Sequence, residues 1–185
     1  VNKRVSVIAT SAIRATLAAK AATVVIPIVF ASANDPIRFG LATSLNRPDS
    51  NITGISWLSA SLGEKRIAML HDFLPTANIF GVIVNPNNAN AQGNIENAQD
   101  AVRALGARAV VAHIETENDF DTAISNLVQQ GVQVALVLND PLFTDRRESL
   151  SGSMAHYKIP AIYSAREMDD VGGLMSYGAS IPDAY

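Results

Sequence analysis

VIVNPNNAN, residues 82–90, decides the architecture. Three β-branched residues, Val82-Ile83-Val84, run straight into a loop built almost wholly of carboxamides: Asn85, Asn87, Asn88 and Asn90. A continuous apolar run suits a strand covered on both faces, because a half-exposed strand alternates instead. Asn85-Pro86 is a turn signal, and Gln92–Leu105 beyond it reads as a helix. The stretch is therefore a strand, a polar loop and a helix in succession. The question it leaves is why a buried strand should empty into so many amides.

The same rhythm extends in both directions. Strands are expected at Val5–Ala9, Ile26–Phe30, Ile52–Trp57, Ile79–Val84, Ala109–Ile114, Val134–Leu138 and Ala161–Tyr163. Helices are expected at Ile13–Ala22, Leu62–Phe73, Gln92–Leu105, Phe120–Gln130 and Phe143–Tyr157. In the second helix Ile67, Leu70 and Leu74 share a face, away from Glu64, Lys65 and Asp72. Pro75 follows a helix end, Gly106 and Gly131 occupy C-terminal glycine positions, and Pro160 opens a strand. Alternating β and α elements imply parallel sheets flanked by helices, joined by right-handed crossovers. The fold class is α/β.

Composition narrows the function. Of 185 residues, 48% are apolar and 17% charged, a globular profile long enough for one sizeable core or two small ones. A net charge of −3 supplies no basic field for nucleic acid and no polybasic stretch for a membrane surface. With no cysteine, disulfides, thiolate chemistry and Cys-based zinc sites are excluded. No apolar run approaches the roughly 18 to 20 residues of a transmembrane helix. Residues 1–30 do not read as a signal peptide, since Arg14 and Lys20 interrupt the apolar stretch.

Two irregular, glycine-bearing stretches break the rhythm: NRPDSNITGIS (46–56) and DDVGGLMSYG (169–178). They bracket one α/β block, as though the chain leaves one lobe and later returns.

Polar residues gather just after the strands, where open α/β sheets bind ligands. Ser11 follows the first strand, Ser32 and Asp35 the second, and Trp57 ends the third. Asn85 and Asn87 follow the fourth, Asn139 and Asp140 the sixth, and Tyr163 ends the last. Neutral donors and acceptors with a few rings suit a small zwitterion, and helix N-termini are at hand for an anionic group. Each residue also has a plain structural role open to it. Ser, Asn and Asp before a helix are ordinary N-caps, Trp57 serves the core equally well, and Arg166 pairs readily with Glu167 or an aspartate.

Catalytic motifs are missing: there is no G-x-G-x-x-G, Walker loop or G-x-S-x-G elbow. His71 and His156 sit late in helices, where they suit the negative dipole end, and His113 ends a strand. None has a metal-ligand spacing partner, and Asp169-Asp170 reads as a solvated pair. No catalytic residue, metal or cofactor is expected.

Longer stretches carry a resemblance. LAAKAATVVIPIVFASANDPIRFGLATSLNRPDSNITGIS (17–56), LGEKRIAMLHDFLP (62–75), VNPNNANA (84–91), NDPLFTDRRESL (139–150), IPAIYSAREM (159–168) and GGLMSYG (172–178) occur in one order. Together they resemble the ABC-transporter substrate-binding proteins of the type linked to tryptophan and aromatic amino acid uptake. The resemblance implies a type I periplasmic-binding fold, with two α/β lobes closing on a ligand. Residues 1–55 would be part of lobe one, 56–170 a complete flavodoxin-like lobe two, and 171–185 the return crossing to lobe one. Members of the family extend beyond both ends of this chain, so it would be truncated relative to them, with exposed strand edges inviting a homodimer.

The function implied is a non-catalytic solute-binding component of an importer. It would act outside the cytoplasm with a membrane permease and bind a small organic solute, an amino acid among the candidates, in the interlobe cleft. Ser11, Ser32, Asp35, Trp57, Asn85, Asn87, Asn139, Asp140 and Tyr163 would contact it. The alternative is a ligand-sensing domain of a signalling receptor or transcriptional regulator built on the same fold.

Overall fold

A computed structural model describes residues 5–11, 13–32, 35–37, 39–45, 50–56 and 62–178. The chain divides into two compact units, Val1–Ala60 and Ser61–Tyr185.

The first unit is built on three parallel strands in the order β1-β2-β3: β1 (Ile8–Thr10), β2 (Ile28–Ser32) and β3 (Ile52–Ser56). Helix α1 (Ile13–Ala22) crosses from β1 to β2. Its Ile13 joins Ile28, Phe30, Leu41 and Ile52 in a small core. The first strand starts later than the expected Val5–Ala9: Val5 and Val7 are exposed, and pairing begins at Ile8. Gly54 has a packing reason, since a Cβ there would lie 2.1 Å from the Phe30 carbonyl and 2.6 Å from its ring. Only glycine lets Phe30 lie across β3.

The second unit carries five parallel strands in the order β5-β4-β6-β7-β8: β4 (Ile79–Val84), β5 (Arg108–His113), β6 (Val134–Val137), β7 (Ala161–Tyr163) and β8 (Met175–Ser176). In chain order this is 2-1-3-4-5, the doubly wound arrangement whose strand order reverses between its first and third strands. Here that place lies between β4 and β6.

The period-2 geometry of a strand explains why these runs are apolar throughout. Phe80, Val82 and Val84 pack with Ile67 and Leu70 of α2 (Gly63–Phe73) and with Ile95, Ala98 and Val102 of α3 (Ala91–Ala104). Ile83 and Val137 face the other way, toward Ile124 and Leu127 of α4 (Phe120–Gln129) and Leu150 and Met154 of α6 (Arg147–His156). Full burial of one such side chain stabilises by about 1.5–3 kcal/mol, so both layers are held by the same strands.

Gly106 and Gly131 adopt φ of 73° and 77°, as C-terminal glycines require. Lys158 takes the same left-handed conformation after α6, at φ 56°. Two local expectations change. The helix expected at Phe143–Tyr157 starts earlier and is broken: α5 (Pro141–Asp145) ends at Arg146, with φ −108° and ψ 30°, before α6 begins. Asp140 at the cap and Pro141 at the first helical position give α5 its start. β8 was not expected, since two residues within a glycine-bearing stretch give no strand period. It pairs with β7 through Ile162↔Met175 and Tyr163↔Ser176, so the stretch expected as a return crossing contributes a strand to this sheet.

Candidate functional site

The loops that follow β4 and β6 meet at the reversal of strand order, and a single carboxylate ties them. Asp140 is buried, with 6% of its surface exposed. Its Oδ1 accepts from Asn85 Nδ2 at 3.0 Å and from the Leu142 backbone amide at 3.0 Å. Its Oδ2 accepts from Asn88 Nδ2 at 2.7 Å. An ionised carboxylate offers about four acceptor positions; three are taken from within the chain.

The carboxamides shape the loop as well. Asn85 Oδ1 accepts from the Asn87 amide at 3.0 Å, closing an Asx turn, and Asn88 Oδ1 does the same for Asn90 at 2.9 Å. Asn88 Nδ2 also reaches the Asn139 carbonyl, at 3.2 Å. Ser164, just after β7, donates to Asn139 Oδ1 at 3.2 Å. Loops after three adjacent strands thus form one hydrogen-bonded surface of neutral amides and a hydroxyl. Asn87 and Asn139 are exposed upon it.

The structure brings Asn85, Asn87, Asn139 and Asp140 together and gives them different parts. Asn85 and Asp140 are occupied in holding the loops. Tyr163 sits at the end of β7, but its ring belongs to the core with Phe143, Ala161 and Met168. Burial, reinforced by the negative charge of Asp169, pushes its phenol up to about 12.

In the first unit, Ser11 follows β1, and buried Ser32 is the last residue of β2. Asp35 Oδ1 accepts from the Ile37 amide at 2.8 Å, which opens a turn. A pocket of about 210 Å³ lies beside β3, lined by Phe30, Pro36, Ser44, Thr53 and Ser56 among others. Trp57 lies outside the described residues. Among the described residues no group of three His, Cys, Asp or Glu side chains is placed to hold a metal ion, and no helix is long and apolar enough to cross a membrane.

Sequence reasoning passed over Asn88, Ser164 and Arg66. Asn88 was visible as a third amide in the loop, but nothing in the sequence shows which amide faces the carboxylate. Arg66 lies beside Ile67 on the apolar side of α2 and is 2% exposed, an unusual place for a guanidinium.

Residues 1–183 match the family described as ABC transporter substrate binding protein. The chain belongs to that family. It is 30% identical over 162 residues to a tyrosine-binding protein of Clostridioides difficile (strain R20291), a match that takes in 87% of this chain and 46% of the relative. A conserved domain protein from Vibrio cholerae superposes with a TM-score of 0.82 at 27% identity, over 96% of this chain and 59% of that one. A Streptococcus pneumonia ABC domain solved in complex with L-Trp superposes with a TM-score of 0.80 at 20% identity, over 97% and 60%. The likeness establishes the type I periplasmic-binding fold. The chain spans roughly half to three-fifths of the length of these relatives.

Proposed function

We propose that this chain is the solute-binding part of an ABC-type importer that works outside the cytoplasm and delivers its solute to a membrane permease without chemical change. One observation carries the reading: the amide surface around Asp140 lies where the strand order reverses, the place at which doubly wound sheets receive ligands. Donors and acceptors are present there without a nucleophile-base pair, which suits holding a molecule and not transforming it.

The solute class is an amino acid with an aromatic side chain. A relative described as tyrosine-binding and a structural neighbour holding L-Trp support it. So does the neutral character of the surface, where amides and hydroxyls meet a zwitterion through hydrogen bonds. Asn87, Asn139 and Ser164 are the contacting groups of the second unit, with Asn85 and Asp140 setting their positions. Ser11, Ser32, Asp35 and Trp57 are the contacts proposed from the first.

Thermal unfolding with L-tyrosine, L-tryptophan, L-leucine and benzoate tests the reading. A solute bound only by the folded state stabilises it by about 2.7 kcal/mol at a hundredfold excess over its dissociation constant. The aromatic amino acids should raise the midpoint and Asn139→Ala should diminish the rise. A midpoint that none of the four moves refutes the assignment.

A further inference from the structure

Among the described residues, Arg66 is the most deeply buried charged side chain. It lies in the first turn of α2 and is 2% exposed, and among the described residues no acidic side chain forms an ion pair with it. Its Nε donates to the Tyr177 carbonyl at 2.7 Å, just past β8. Its Nη2 is buried without a hydrogen-bond partner. A guanidinium has five donors in a fixed fork, and a buried donor left unmade is costly, so this arrangement leaves a valence in hand.

The segment that Arg66 grips is tightly seated. The Tyr177 amide donates to the Tyr163 carbonyl at 3.0 Å. A Cβ on Gly178 would fall 2.0 Å from the Ser164 carbonyl and 3.6 Å from Arg66 Nη2. Only glycine passes between them. Ser164 in turn donates its hydroxyl to Asn139 in the amide surface. Asn139, Ser164, Gly178 and the buried end of Arg66 therefore lie in succession, each close to the next.

We propose that Arg66 is a positioning residue: it clasps the segment after β8 to α2 and keeps Nη2 for an acceptor that a second arrangement of that segment supplies. A shift of Ser164 when solute engages Asn139 would move Gly178 and change what Nη2 meets. This coupling to solute rests on the function proposed above; the clasp itself does not.

The test compares Arg66→Met and Arg66→Lys with the wild-type chain, by thermal unfolding and by hydrogen exchange at the Tyr177 and Gly178 amides. Without solute, Arg66→Met should unfold at or above the wild-type midpoint, because it removes a buried unpaired charge. It should nevertheless exchange at Tyr177 and Gly178 at least tenfold faster. Arg66→Lys should unfold below Arg66→Met, since it keeps the charge and loses the fork. Unchanged exchange at both amides, or a methionine variant less stable than the lysine one, overturns the clasp. With saturating L-tyrosine or L-tryptophan, exchange at Tyr177 should change in the wild type and not in Arg66→Met; an equal change in both overturns the coupling. A wild-type chain that binds neither amino acid overturns the solute assignment alone, because the solute-free exchange still decides the clasp.

Discussion

Replacing Asp140 separates two roles that its geometry combines. The carboxylate caps α5 through the Leu142 amide and accepts from Asn85 and Asn88, three hydrogen bonds at 2.7–3.0 Å. A hydrogen bond to a charged group is worth about 1.5–3 kcal/mol net. At the lower end of that range, Asp140→Ala should cost about 4.5 kcal/mol. Serine caps a helix about as well as aspartate does but cannot reach both amides. Asp140→Ser should keep the cap, lose the ties between the loops, and cost about 3 kcal/mol. Asparagine also caps and keeps one acceptor oxygen, yet turns an NH₂ group toward one of the two donors, so Asp140→Asn should cost about 2 kcal/mol. For a chain of this length each kcal/mol lowers the midpoint by about 2–4 °C. Urea and thermal unfolding, followed by far-ultraviolet circular dichroism, give the order Asn, Ser, Ala from mildest to worst. If Asp140→Ser and Asp140→Asn both unfold within about 0.5 kcal/mol of wild type, the carboxylate is only a cap and the reasoning fails.

Tyr163 gives an alkaline test. Its phenol is raised by burial from 10.0 to about 12, so between those values the unfolded chain loses a proton that the folded chain keeps. Stability therefore falls as pH rises through that window, by about 2.7 kcal/mol in all. The difference between wild type and Tyr163→Phe should shift by most of that amount, about 2.3 kcal/mol, from pH 9 to pH 12, and a constant difference would deny the shift. Arg66 acts in the opposite sense, its guanidinium lowered to about 10 by burial, and comparing two chains that both carry it removes its contribution. Lys158, exposed with φ 56°, should yield to glycine with a gain of about 0.5–1 kcal/mol in urea unfolding. Gly54→Ala should destabilise the first unit by about 1–3 kcal/mol, because its methyl meets the Phe30 carbonyl and ring; a neutral result would show that β3 gives way freely.

The sheets were legible because buried parallel strands are written in one alphabet. Val82-Ile83-Val84 and Val134–Val137 are apolar on both faces and can be nothing else at that length. β8 was not legible, since Met175-Ser176 owes its place to Tyr163 and not to any period of its own. The break at Arg146 was missed for a related reason: Asp140-Pro141 marks a helix start, while the end of α5 four residues later has no breaker to announce it. In the loops, position after a strand was enough to bring Asn85, Asn139 and Asp140 to one edge and left the division of labour open. Strand-end rules place Asn85, Asn139 and Tyr163 at one edge, but whether a side chain faces the loop surface or the core depends on contacts far apart in sequence.

The carboxamide loop now has a physical account. A loop that must both hold its shape and offer polar groups needs side chains with a donor and an acceptor each, and asparagine supplies both on a short stem. Asn85 and Asn88 spend their oxygens on the loop's own turns and their nitrogens on Asp140. The buried carboxylate of Asp140 thereby has most of its acceptor capacity taken by the protein. On the function proposed above, a solute's ammonium group would find at most one acceptor position left on it and would be held chiefly by neutral oxygens. Such a surface pays no large penalty for standing empty, because its charge is already solvated by amides. That is the property a solute-binding protein needs: polar enough to recognise, and satisfied enough to wait.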